Sequence, residues 1–238
     1  MAVSVTDTIT AAQYNGVQSR INTILGAGSG ANGYGQAMAS GQVVVGNTIT
    51  AAQFDALRTD LNKANNHQSG ANAGVGNIAA GQVIGADTSG AATTEGFNDY
   101  DTATSTIETN RYNIDGGNAT VEAGITAART TTWNGTISHI FTVGFTDANA
   151  RRYFFNSGGE IRFSAALSGQ SGAKSNDWAT MLSNMGTITM NYTSTSASGT
   201  GTDTTIGNDD LTGTYQTIFT RTGSGVYAEN DYNIAVVL

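Results

Sequence analysis

Apolar residues recur at helical spacing in two stretches near the start of the chain. The first stretch carries Tyr14, Val17, Ile21, Ile24 and Leu25, and the second carries Phe54, Leu57 and Leu61. Spacings of three and four residues place such side chains on one face of a helix, so the pattern predicts two amphipathic helices. The first should end at Gly26 and the second in the Asn65–Asn66 region. Each apolar stripe is narrow, so each helix must pack against its repeat partner or a neighbouring subunit.

Both helices begin in a segment that is repeated with a shift of 40 residues. The sequence DTITAAQY at 7–14 returns as NTITAAQF at 47–54, and GQV at 41–43 returns at 81–83. A period of this size is typical of a supersecondary unit used more than once. In each copy a threonine is the predicted N-cap, a glutamine completes a capping box, and two flanking apolar residues form a hydrophobic staple. The eight residues are Ile9, Thr10, Gln13, Tyr14, Ile49, Thr50, Gln53 and Phe54.

The middle of the chain, residues 71–130, is predicted to be an extended Gly/Ala-rich arm followed by an amphipathic helix. The arm has only four apolar anchors, which we expect to lie against another surface: Val75, Ile78, Val83 and Ile84. The helix carries a heptad-like series, Phe97, Tyr100, Thr104, Ile107, Arg111 and Ile114. We predict that Phe97, Tyr100, Thr104 and Ile107 form a seam between subunits.

Strand-like alternation begins in the C-terminal part of the chain. At 137–145 the residues Ile137, His139, Phe141, Val143 and Phe145 share one face, and further strands are predicted at 160–167, 187–193, 215–222 and 232–237. Two short helices are also predicted. One is capped by Asp147 and ends at Gly158–Gly159, and the other is capped by Ser175 and ends at Gly186.

These patterns predict an α+β fold with three regions. Residues 1–70 form a helical tandem-repeat attachment region, residues 71–130 form the extended arm and amphipathic helix, and residues 131–238 form a β-rich C-terminal domain. We expect this last region to be an antiparallel sheet or sandwich that carries two short helices.

The composition narrows the classes of function. There is no Cys, which excludes thiol catalysis, thiolate metal sites and disulfides. Charged residues make up only 12% of the chain and the net charge is −8, which argues against binding to nucleic acid or to anionic membranes. The N-terminus shows no secretory signal and no stretch is long enough to span a bilayer, so we expect synthesis in the cytoplasm without export.

Few residues are candidates for chemistry. The two histidines, His67 and His139, have no partners at metal-ligand spacing, and we predict a solvent-facing His67 and a strand His139. Acidic pairs at Asp209–Asp210 and at Glu229 with Asp231 are candidates for glycan hydrolysis, although their Gly- and Asn-rich surroundings favour solvated turns. Asp203 with the first pair could also hold calcium, without EF-hand spacing to support it.

Two further motifs have an ordinary structural interpretation beside a functional one. The Gly-rich run at 26–30 lacks the lysine of a phosphate loop and is better explained as a flexible loop. Arg151 and Arg152, beside three aromatic residues, are candidates for surface recognition of an anion or a sugar, although an internal cap or ion pair is the commoner use. No catalytic residue, cofactor or metal ligand is predicted.

Three stretches resemble a known family. The pattern ITAAQYNG at 9–16 with GYGQ at 33–36, and RYFFNSGGEIRF at 152–163, are similar to virion structural proteins of marine tailed bacteriophages, especially those that infect cyanobacteria. The resemblance implies a place in the virion, in a tail, fibre, neck or capsid-associated layer, rather than a mechanism.

We therefore expect a non-enzymatic component of a phage particle that binds sister copies, most simply as a trimer, and other virion proteins. One alternative is a tip module that binds a host receptor or surface glycan. A glycan depolymerase or a bacterial surface-layer or adhesin subunit are weaker alternatives.

Overall fold

The computed structural model describes residues 8–81, 84 and 96–238, and within them the chain is α+β. The helices are α1 (Ala11–Leu25), α2 (Ala51–Ser69), α3 (Phe97–Thr109), α4 (Ala148–Asn156) and α5 (Ala173–Met185). The strands are β1 (Ile161–Phe163), β2 (Ile188–Met190), β3 (Thr195–Ala197), β4 (Thr202–Asp203), β5 (Gln216–Thr222) and β6 (Asp231–Val236). Single 3-10 turns lie at Asn208–Asp210 and Gly225–Tyr227.

The first two helices begin where the repeat predicts. The Thr10 amide donates to Gln13 Oε1 at 2.8 Å and the Gln13 amide donates to Thr10 Oγ1 at 3.3 Å, which completes the capping box. Thr50 and Gln53 repeat this geometry at 2.7 and 3.3 Å. Because the cap needs only residues three apart, the local sequence is sufficient to set both helix starts.

The helix ends agree less closely with the prediction. Helix α1 ends before Gly26 as predicted, whereas α2 continues past Asn65–Asn66 and ends at Gly70, whose φ of +74° suits a glycine. Asn65 does not interrupt the helix because its side-chain amide donates outward, to Ser69 Oγ at 3.0 Å and to the Ala71 carbonyl at 2.9 Å.

Helices α1, α2 and α3 enclose one hydrophobic core. The predicted subunit seam on α3 is part of this core, which corrects that prediction: Phe97, Tyr100, Thr104 and Ile107 are all fully buried within one chain. Helices α1 and α2 supply the apolar surface that a second subunit was expected to provide, and the Tyr100 ring packs edge to face on Phe54. Helix α3 also ends at Thr109, so Arg111 and Ile114 lie beyond it.

Connecting segments lie against the same helices. Val75 and Ile78 are buried in the helical core, so this part of the Gly-rich arm packs on its own chain. Ile84 is partly buried there, whereas Val83 lies outside the described residues. The connection between α1 and α2 is pinned by side chains: Asn15 makes two hydrogen bonds to the Val43 backbone at 2.7 and 2.8 Å.

The C-terminal region contains two antiparallel three-stranded sheets, in the orders β1-β2-β3 and β4-β5-β6. Ile161 pairs with Met190, and Met190 pairs with Thr195, while Phe219 pairs with Ile234 beside a bulge. Both sheets contribute to a second core, which contains Phe155, Met185, Ile188, Met190, Tyr192, Ile218, Phe219 and Ile234. The edge strands are therefore β1, β3, β4 and β6.

Several C-terminal predictions need correction. The 137–145 segment is in no sheet, and β1 covers only Ile161–Phe163 of the predicted 160–167 strand. Helix α5 starts at Ala173 after Gly172, with no side-chain cap, so Ser175 is not its N-cap. Strands β3 and β4 were not predicted, because they are two or three residues long. Asp147 caps α4 as predicted, and its side chain accepts a hydrogen bond from the Ala150 amide at 2.8 Å.

Candidate interaction surface

The most unusual surface of the chain is a long uncovered stretch, residues 116–146, which we call the exposed segment. Every residue from 116 to 132 is exposed, and so are most of those that follow. Its large apolar side chains face solvent: Val121 is 81% exposed, Ile140 80%, Val143 50% and Phe141 45%. Loops longer than about 15 residues without secondary structure are uncommon in compact domains and usually are either functional or disordered linker segments.

The exposed segment is held at its ends and has no backbone partner between them. Near its start Asn118 donates to the Asn66 carbonyl at 2.7 Å, and near its end Phe145 packs on Phe154, with centroids 5.4 Å apart. Between these two contacts, the Trp133 ring packs edge to face on Trp178 of α5, with ring centroids 6.4 Å apart. No backbone group of residues 120–145 is hydrogen-bonded to another backbone group of the described chain.

The exposed segment also lacks charge over its second half. Between Arg129 and Asp147 there is no charged residue, in a stretch rich in Thr, Ile, Val and Phe. High β-propensity without charge or proline is the composition of a segment that pairs readily with another strand. A solvated loop of this length would usually carry charges.

The arginine pair does not form an open recognition site. Arg152 donates to the Asn32 carbonyl at 2.6 Å and to the Ala27 carbonyl at 2.8 Å, and its guanidinium lies over Tyr153 at 4.6 Å. Its donors therefore join α4 to the Gly-rich loop that follows α1, which is an internal use, as the sequence analysis considered commoner, and does not leave Arg152 open to an anion or a sugar. Arg151 is only partly exposed.

The same junction explains the Gly-rich run and one histidine. The Asn156 amide donates to the Gly30 carbonyl at 3.2 Å, so the 26–30 run is a docking loop for α4. His67, predicted to face solvent, is half-buried there, with Nε2 2.7 Å from the Ser157 carbonyl and its ring 5.0 Å from that of Tyr34. His139 is exposed in the segment without a sheet, against Phe141.

Of the acidic candidates, Asp209, Asp210 and Glu229 lie in turns, whereas Asp203 ends β4 and Asp231 begins β6. Asp210 accepts a hydrogen bond from the Gly207 amide at 3.2 Å. Partial desolvation, and then the neighbouring negative charge of Asp210, raise the pKa of Asp209 above its ordinary value. Glu229 is largely exposed, and its Oε1 lies 4.0 Å from Nζ of Lys174. The Asp231 carboxylate accepts a hydrogen bond from the Asn233 side-chain amide. Within the described residues, no three His, Asp or Glu side chains gather as a metal site would require.

Two concave sites could receive a small ligand. An open groove of about 380 Å³ runs along α5 and is lined by small or polar residues: Gln170, Asn176, Ala179, Thr180, Ser183 and Asn184. A smaller cleft of about 60 Å³ lies beside Tyr112 and Tyr192, whose rings stack with centroids 5.0 Å apart. The groove is lined by the single stretch 170–184, whereas the cleft joins residues near 112, 158 and 192, which sequence spacing could not bring together.

Comparisons with known proteins add no relative. The chain matches no family model, and no curated protein and no solved structure matches it. In the described part of the chain, none of the helices has both the length and the apolar character needed to cross a bilayer.

Proposed function

We propose that this protein is a non-enzymatic structural component of a tailed-phage virion, which works by self-association and by attachment to other virion proteins. The tandem helical repeat of residues 1–70 serves as the attachment region, and the two C-terminal sheets form a sandwich-like domain that is displayed. The protein is made in the host cytoplasm and then incorporated into the particle. It needs no cofactor and contacts neither nucleic acid nor membrane.

The observation that carries this proposal is the exposed segment. The helical and sheet cores are buried, but Ile140, Phe141 and Val143 are exposed to solvent. They lie in a stretch without charged side chains, whose backbone makes no hydrogen bond to any other described backbone group. Several large apolar side chains exposed close together along the chain are a sign of an interaction site. The resemblance of the 9–16 and 152–163 stretches to virion proteins supports a phage particle as the setting.

Self-association is tested by light scattering of the purified protein across a range of concentrations. We expect a closed oligomer, with a trimer at about three times the 24.4 kDa chain mass. A monomer at every concentration would contradict the self-association part of the proposal. Incorporation is tested by mass spectrometry of purified particles of the phage that encodes the chain, where we expect several copies per particle; absence from the particles would contradict the virion assignment.

A second candidate function, recognition of a host surface glycan, is favoured by the groove along α5. Its amide and hydroxyl lining matches the hydrogen-bonding groups of a sugar, and its openness to solvent suits a chain end. Glycan-array binding by the wild type that is lost in Asn176→Ala with Asn184→Ala, and retained in Asn233→Ala, would support it. Saturable binding that is retained by the variant with Asn176→Ala and Asn184→Ala would mean that the glycan binds elsewhere on the protein.

A further inference from the structure

We infer that the 137–145 part of the exposed segment pairs, in a second copy of this chain, with the free edge of β6 and adds a fourth strand to the β4-β5-β6 sheet. This inference rests on the proposed self-association and gives it a specific contact. It starts from the strand pattern that the sequence shows and that no strand in the described part of the chain satisfies.

The 137–145 segment, which we call the donor, has the composition of a strand. Its sequence, ISHIFTVGF, is β-branched and aromatic at most positions, and the described structure leaves its backbone without inter-strand bonds. In an extended strand, alternate residues face opposite sides of a sheet, so Phe141 and Val143 would share one side and Ile140 would face the other. The segment lacks only a partner edge.

The acceptor edge is present on every copy. Strand β6 pairs with β5 alone and is the longest edge strand of the described sheets. Its core-facing side chains are Tyr232, Ile234 and Val236, while Asp231, Asn233 and Ala235 point to solvent. A strand added there would place Phe141 and Val143 beside Ile234 and Val236 and extend the apolar face of the sheet.

A second copy is the occupant because every chain carries both the donor segment and the acceptor edge. The net charge of −8 makes two copies repel one another, so a contact between them must use uncharged surface. The donor has no charge between Arg129 and Asp147, and β6 has one, Asp231 at its first position. Solvent-exposed edge strands usually carry charge or proline, which prevents such pairing. This chain has no proline at all.

The first test is the oligomeric mass of a charged variant of the full chain. We expect Phe141→Asp with Val143→Asp to shift the mass to the 24.4 kDa monomer, because two carboxylates would be buried in the joint sheet. Both side chains are about half exposed in one chain, so the circular dichroism spectrum should stay unchanged. The matched control is Val45→Asp with Val226→Asp, at sites 83% and 86% exposed, which should keep the oligomer.

The second test identifies the edge. Because the chain has no cysteine, copies that carry only Ser138→Cys, Ile140→Cys or Thr142→Cys can each be mixed with copies that carry only Asn233→Cys. We expect one of the three mixtures to form an inter-chain disulfide far faster than the same donors mixed with Val226→Cys, since a disulfide requires Cβ atoms about 4 Å apart.

The outcomes separate this inference from the proposed function. An oligomer that survives the charged variant, or cross-linking no faster than the Val226→Cys control, overturns the strand pairing and leaves self-association standing through another surface. A wild-type chain that is monomeric at all concentrations overturns both.

Discussion

Tyr14 and Phe54 stand at equivalent positions of the 40-residue repeat, and their rings pack edge to face with centroids 5.5 Å apart at an interplanar angle of 80°. The Tyr14 hydroxyl donates to the Gln53 carbonyl at 2.9 Å, and both rings are fully buried. Each aromatic residue lies in the first turn of its own helix. The two copies of the repeat are thus joined to each other by the residues that also mark the two helix starts.

Removing the second ring should strongly destabilise the helical core. We expect Phe54→Ala to lower the free energy of unfolding by about 3–5 kcal/mol, because it leaves a cavity between Tyr14 and Tyr100. Urea denaturation followed by circular dichroism measures this change. The control is Tyr215→Ala, at a ring 67% exposed, for which we expect about 0.5 kcal/mol or less. Equal losses in the two variants would contradict the packing.

Two tyrosines should titrate late. Burial raises the pKa of both Tyr14 and Tyr34 to about 12, with nearby Asp60 adding to the effect at Tyr14. A pKa raised on folding means that the neutral phenol stabilises the fold fully below pH 10 and that this stabilisation is lost as pH rises toward 12. Absorbance at 295 nm should show these two phenols ionising late, and Tyr14→Phe or Tyr34→Phe should each remove one late phenol. The control is Tyr215→Phe, at a ring 67% exposed, which should leave both in place.

Asp60 should be indispensable to the connection between α1 and α2. Its carboxylate accepts from the Ala39 amide at 2.9 Å, the Ser40 amide at 2.8 Å and the Ser40 hydroxyl at 2.6 Å, and the residue is 1% exposed. Asp60→Ala leaves these donors without an acceptor, which costs about 1–3 kcal/mol for each one that stays buried. Thermal unfolding should show a large loss for Asp60→Ala and almost none for Asp55→Ala, on the exposed side of the same helix.

Arg152 should hold α4 to the loop after α1. Arg152→Lys keeps the charge, but one ammonium cannot reproduce the fork that reaches both the Ala27 and Asn32 carbonyls. We expect at least about tenfold faster amide hydrogen exchange at residues 26–35, which corresponds to about 1.4 kcal/mol. Arg162→Lys, at a side chain 61% exposed, should leave that loop unchanged. Unchanged exchange in Arg152→Lys would mean that the loop is held by other contacts.

Local chemistry made part of this fold predictable. The starts of α1, α2 and α4 follow from Thr10, Thr50 and Asp147, whose side chains bond to amides three residues away. The end of α5 at Gly186 follows from the need for a left-handed φ, here +66°. Such features need only a few consecutive residues, so the amino-acid sequence determined them without reference to the rest of the chain.

Non-local partnership was decided only in the tertiary structure. The α3 stripe through Phe97 and Ile107 has the spacing of an interface between subunits, yet α1 and α2 of the same chain bury it. The 137–145 stretch alternates like a strand, yet none of the described strands pairs with it, while Arg152 turns its donors inward. Periodicity shows that a face or an edge needs a partner, because burial and hydrogen bonding stabilise it. Which partner meets that need depends on chain geometry far along the sequence, which only the folded structure contains.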